Sequence, residues 1–130
     1  ATDRADLSAR LTTTAAEEQE PPVGILSLLG WSGGVQADCP TVPIAIATSL
    51  ALVQAVGDAG FGVPVWAVTW GAVSVVPGEV PETAGAQLWA LGQVAALEIP
   101  DRWGGLIDLP ADADARSVGL AVRALAAGIA

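Results

Sequence analysis

The stretch "LGQVAALEIPDRWGGLIDLP", Leu91 to Pro110, joins an apolar helical run, a charged turn and a short apolar strand. Pro100 disfavours helical backbone in the residue before it, so the helix has to end there. "GGLIDLP" then supplies a strand from Gly105 to Leu109. A helix feeding directly into a buried strand is half of a βαβ unit, the building block of enzyme-like α/β domains. Yet the chain contains no Tyr, no Lys and no His.

The same alternation continues toward the N-terminus. "VPVWAVTW", Val63 to Trp70, is rich in β-branched and aromatic residues and reads as a second buried strand. "VGILSLL", Val23 to Leu29, is a continuous apolar run of strand length, as in strands covered on both faces. A helix is expected between them, from about Ile44 to Ala59, with Pro43 near its first turn and Gly60 past its end. Another helix starts near Thr83 and runs to about Glu98. "DRADLSARLT" puts Leu7 and Leu11 on one helical face, with Asp3 and Asp6 near the positive end. "EEQEPP" breaks that helix as a solvated linker. Asp112 or Asp114 caps a last helix, "ARSVGLAVRALAAGIA".

The predicted order is αβαβαβα, which implies an α/β fold with a short parallel sheet and right-handed crossovers. The expected organisation is a single domain over residues 1–130: a first helix over 1–16, a linker over 17–22, a core over 23–110 and a last helix over 112–130. Three strands make a narrow sheet, and the first helix has no strand before it. The sheet reads as cut, with residues expected upstream of Ala1 and beyond Ala130.

Composition points the same way. Hydrophobic residues make up 52% of the chain and charged ones only 15%, so there is little polar surface to face water. Such a chain is either an Ala- and Val-rich core in its own right or a piece of something larger whose apolar surface a partner covers. The third helix sharpens the choice. Ala84, Leu88, Leu91 and Ala95 form one face, suited to the sheet, while Ala86, Trp89, Ala90, Gln93 and Leu97 form the other with no charge before Glu98. A helix apolar nearly all round is covered on both sides, here by a second body or by the chain's own last helix.

Several functions are excluded by chemistry. A net charge of −9 with no basic residue between Arg10 and Arg102 disfavours nucleic acid and anionic membranes. The long uncharged runs around Cys39–Gly57 and Ala59–Gly78 are broken by Pro and Gly and lack basic flanks, so they read as core rather than membrane spans. A soluble, cytoplasmic chain is expected, with no signal peptide in the charged N-terminus. Cys39 is alone in the loop "QADCP" and has no His to activate it.

"GWSGG", Gly30 to Gly34, has the G-x-S-x-G form of a nucleophile elbow after a strand, but no helix starts at once after Ser32 and no His exists to take its proton. A serine hydrolase is therefore not expected. No Gly-rich phosphate loop follows a strand; the pair Gly104–Gly105 precedes one instead. Neither a lone Cys nor a chain without His suggests a metal site. Asp101, Asp108, Asp112 and Asp114 lie near turns and read as solvated caps, and the five tryptophans as core and interface anchors. No catalytic, cofactor-binding or metal-binding residue is expected in the chain.

Three blocks, "SLALVQAVGDAG", "VWAVTWGAVSV" and "LGQVAALEIPDRWGGLIDLP", together with "VGILSLLGW", resemble the structural subdomain of ketoreductases from modular type I polyketide synthases. The resemblance is good from Val23 to Pro110 and loose in the flanking helices. It implies a truncated Rossmann-like, three-layer fold related to short-chain dehydrogenases. It also implies a catalytic partner half that binds NADPH, carries Ser, Tyr and Lys, and reduces a β-keto group held on an acyl carrier protein. The present chain is then the half that braces it, inert alone, with Trp89, Gln93 and Leu97 as candidate contacts and the acyl carrier protein as an indirect partner. The loop "GWSGGVQADCPTVP" is not distinctive of that family, and Trp70 stands where a more polar residue is expected. The alternative is a self-standing acidic α/β module that dimerises through its apolar helix face.

Overall fold

The computed structural model describes residues 3–17, 20 and 22–128. Four helices, α1 (Arg4–Glu17), α2 (Ile44–Asp58), α3 (Thr83–Glu98) and α4 (Ala115–Ala126), alternate with strands β1 (Ile25–Ser27), β2 (Val65–Trp70) and β3 (Trp103–Leu109). The strands form one parallel sheet in the order β1-β2-β3. This is the open, parallel α/β arrangement that the alternating pattern implies, and it agrees with the truncated Rossmann-like fold that the resemblance implies. Residues 18, 19 and 21 of the expected linker, and the ends of the first and last helices, lie outside the described residues.

The sheet order decides where the helices go. Each strand lies beside the next, and right-handed crossovers taken twice in the same direction place α2 and α3 on one face. The core sits there: Leu52 and Val56 of α2 pack on Val65 of β2, with Leu11, Ile25, Leu29, Phe61 and Trp103 closing around them. Leu11 brings α1 against α2, which accounts for a first helix that has no strand of its own. The exposed Arg4 guanidinium meets the Asp58 carboxylate across the same pair of helices.

Local chemistry sets the ends of the elements. Gly60, with φ of 72°, ends α2 in a Schellman motif: its N–H bonds to the carbonyl of Gly57, and the N–H of Phe61 to that of Val56. Phe61 then packs on the core that the helix builds. Asp114, of the two candidates for the last cap, is the one that caps α4; its carboxylate accepts the N–H and the hydroxyl of Ser117.

Four expectations need correction. β1 spans three residues, not seven, because Leu29–Trp31 turn into a 3-10 helix. β1 is not covered on both faces: Leu26 is half exposed. The Gly104–Gly105 pair lies inside β3, where a register shift against Val65 and Trp66 makes an irregularity. The indole of Trp66 lies over Gly104, where a Cβ would come within 2.3 Å of its ring. Finally, the sheet-facing stripe of α3 is Gly85, Leu88, Gly92 and Ala95, rotated from the expected one, with Ala84 and Leu91 only half-buried. Leu106 and Trp103 crowd Gly92 so closely that no larger residue fits without their moving.

α4 does not cover α3. It lies along the opposite face of the sheet, next to β3, and none of its side chains is fully buried.

Candidate functional site

Open parallel sheets take ligands beyond the carboxyl ends of their strands. Here that region holds a cleft of about 790 Å3, formed where β2 ends at Trp70, β3 ends near Asp108 and α3 begins. Its polar chemistry is acidic. Asp108 is half-buried; its Oδ1 accepts the Thr69 hydroxyl at 2.7 Å and the Ala72 N–H at 3.0 Å, and its Oδ2 accepts the Val73 N–H at 3.0 Å. Thr69 is fully buried, and its Oγ1 also accepts the Trp89 indole N–H at 2.9 Å. The hydroxyl therefore relays a single direction of donation, from Trp89 through Thr69 to Asp108. Gly71, with φ of 58°, turns the chain so that the Ala72 and Val73 amides face the carboxylate.

This network revises two expectations. Asp108 is not a solvated cap. Trp89 does not belong to the outward face of α3; its indole turns back to the sheet. Thr69 was not singled out from the sequence. The available signal was a hydroxyl inside an otherwise apolar strand, since a buried polar group has to find a partner.

The other anticipated residues are dispersed. Gln93 and Leu97 are exposed on the outward side of α3, with Leu97 82% accessible. Ala86, Ala90 and Val94 share that side, so the surface is apolar as expected, without Trp89. Ser32 follows the 3-10 helix in extended backbone and α2 begins only at Ile44, so the strand–turn–helix of a nucleophile elbow is not formed. Cys39 is exposed beside Thr41. Among the described residues, no three His, Cys, Asp or Glu side chains group to hold a metal ion. Among the described residues, no helix is long and apolar enough to cross a membrane.

A second feature is an apolar groove of about 360 Å3 between α4 and the open face of the sheet, walled by Leu26, Ile107, Val118 and Leu125. At one end Trp31 and Trp70 stack with ring centroids 3.8 Å apart and planes 15° from parallel. The unexpected tryptophan at the end of β2 therefore has a partner in the loop that was not distinctive of the family.

Comparison with known proteins gives this architecture its place. The family model described as the Rossmann fold domain of the polyketide synthase extender module SpnB matches residues 1–130. The chain belongs to this family. Among curated relatives, the polyketide synthase GfsA of Streptomyces halstedii is 53% identical over 106 residues, covering 81% of this chain and 1% of the relative. The pikromycin synthase component PikAII of Streptomyces venezuelae is 45% identical over 129 residues, or 97% of this chain and 3% of the relative. A C2-type ketoreductase from a modular polyketide synthase superposes with a TM-score of 0.91 at 43% identity, covering 97% of this chain and 27% of that structure. An A1-type ketoreductase gives 0.82 at 42% identity, covering 90% and 25%. The chain thus spans 1–3% of those synthases and about a quarter of those ketoreductases.

A nicotinamide dinucleotide does not fit this Rossmann chain in the usual place. After β1, where a Gly-rich turn holds pyrophosphate, Gly30 is pressed so close to β2 that its Cβ would lie 2.4 Å from the Val68 carbonyl oxygen and 3.0 Å from Leu88. The helix N-terminus that would face the phosphates is set back behind the loop closed by the Val35–Pro43 bridge.

Proposed function

We propose that this chain, acting as one unit over residues 1–130, is the structural half of a polyketide synthase ketoreductase. It braces a separate half that binds NADPH and reduces the β-keto group of an intermediate carried on an acyl carrier protein. The observation that carries the reading is the match itself: nearly the whole chain aligns with about a quarter of solved ketoreductases at 42–43% identity. The absence of Tyr, Lys and His from the chain leaves the chemistry to the other part.

The outward side of α3, with Ala86, Gln93, Val94 and Leu97, is the surface assigned to the catalytic half. It is apolar, it is exposed in this chain, and it belongs to a helix whose other side is fixed on the sheet. The site of this protein would be cytoplasmic, with the acyl carrier protein reaching the catalytic half and not this one.

The test uses a ketoreductase containing this segment and the segment alone. The isolated chain should not oxidise NADPH with a β-keto thioester. In the two-half protein, Leu97→Glu should lower both the melting temperature and the reductase rate. NADPH turnover by the isolated chain would overturn the inert role; an unchanged Leu97→Glu protein would remove α3 as the contact. The alternative, an acidic module that dimerises through the same face, is separated by sedimentation: a dimer of the isolated chain that Leu97→Glu dissolves, with no effect in the two-half protein, would favour it.

A further inference from the structure

α4 is a basic helix in an acidic chain. Of the five arginines, Arg4 pairs with Asp58, Arg10 pairs with Asp6, and the half-buried Arg102 lays its guanidinium against Gly57. The other two, Arg116 and Arg123, both belong to α4 and both are exposed. Among the described residues, no carboxylate pairs with either. Asp114, the acid nearest to Arg116 along the chain, is engaged by Ser117.

Val118, Ala121, Val122 and Leu125 face the groove along the sheet. With about 3.6 residues per turn, the opposite side of α4 presents Arg116, Leu120 and Arg123, with Gly119 beside them. The two arginines are two turns apart, about 10 Å along the axis, and the half-exposed Leu120 lies between them. Gly119 weakens the helix interior, and no packing within the chain requires it, since a Cβ there would meet nothing within 4 Å. A glycine so placed lets a second backbone approach closely.

We propose that the outward face of α4 docks an acidic helix of another protein. That helix crosses near Gly119, sets an apolar side chain against Leu120, and brings two carboxylates, two turns apart, to Arg116 and Arg123. Charge selects this occupant. A second copy using the same face would bring four guanidinium groups together. Nucleic acid and anionic membranes are repelled by a chain of net charge −9. Spacing selects a helix, because about 10 Å on a strand is three residues, and residues three apart point to opposite faces. The surface lies across the sheet from α3, so it is independent of the bracing role.

The experiment titrates the 130-residue chain with a synthetic Ala-rich helical peptide that carries two Glu seven positions apart and a Leu between them. Amides of residues 115–126, followed in 1H–15N correlation spectra, should shift saturably, and the affinity should fall as salt is added. A peptide with Gln for both Glu should bind about three- to tenfold more weakly. Arg116→Glu/Arg123→Glu alters two exposed side chains, and it should lose the Glu peptide and bind the Lys counterpart instead. Gly119→Leu should raise the melting temperature while weakening the peptide, an effect that no loss of folding can imitate. The proposal is overturned by an absence of saturable shifts on α4, by equal affinity for the Glu and Gln peptides, or by a Gly119→Leu chain that binds as the parent does.

Discussion

Replacing Thr69 with Val removes one hydroxyl from a fully buried position and leaves the shape almost unchanged. Two hydrogen bonds go with it, the one from the Trp89 indole at 2.9 Å and the one to Asp108 at 2.7 Å. A neutral bond of this kind contributes about 1 kcal/mol, and one to a carboxylate about 1.5–3 kcal/mol. The added methyl group returns about 0.8 kcal/mol. The expected net loss is therefore about 2–3 kcal/mol. In a domain of this size that corresponds to a fall in melting temperature of roughly 6–15 °C. Differential scanning calorimetry measures it directly. Trp89→Phe removes the indole donor while keeping a ring, and the pair shares one bond. The double variant should then fall short of additivity by about 1 kcal/mol. A Thr69→Val protein melting within a degree of the parent would refute the network as a stabilising unit, and additivity would refute the Trp89–Thr69 bond.

Gly30→Ala should destabilise by about 1–3 kcal/mol, since its Cβ would press on the Val68 carbonyl oxygen, a backbone atom that cannot retreat without disturbing β2. Gly33→Ala, next door with nothing within 4 Å, is the control and should be near neutral by the same urea titration. The Ser117 amide and hydroxyl hold the Asp114 carboxyl below its ordinary value. Stability from such a group is complete above the ordinary carboxylate range and disappears as pH falls through the lowered value. Asp114→Ala should therefore lower the melting temperature at neutral pH and close the gap to the parent below about pH 4. The Asp58 carboxyl is likewise lowered by its hydrogen bonds from Arg4. That pair is exposed, so Arg4→Ala should have a small effect that shrinks further in concentrated salt, read from melts at two salt concentrations.

What was legible in the sequence follows from how each signal arises. Strand and helix identities came from apolar runs and from Pro and Gly at their ends, which act locally, and α2 and α3 begin and end within a residue of expectation. The direction each helix faces is a tertiary matter. Counting apolar residues on α3 favoured Leu91 and Ala84 for the sheet, but Leu106 and Trp103 of β3 approach so closely that only Gly92 fits there, and Ala72, just after β2, crowds Gly85 in the same way. That rotation carries Trp89 inward to Thr69. The cleft was hidden for a similar reason: Asp108 reads as an ordinary solvated cap until the loop after β2 brings the Ala72 and Val73 amides onto it. A lone Thr in an apolar strand was the one local clue.

The unequal cover on the two sides of the sheet is a consequence of topology, and it bears on the proposed bracing role. Three strands laid down in sequential order, each joined by a right-handed crossover, send both connecting helices to one face. That face is sealed, with Val65, Ala67 and Thr69 nearly inaccessible. The other face has only α4, a helix with no fully buried side chain, and Leu26, Leu28 and Trp31 stay about half exposed or more beside it. A sheet with a reversal in strand order would put helices on both faces and open a crevice at the reversal, where dinucleotides bind. Among the described strands there is no reversal, and the same arrangement leaves apolar surface uncovered on one face. Covering that surface by association would be favourable, since apolar surface removed from water stabilises by about 25 cal/mol per Å2.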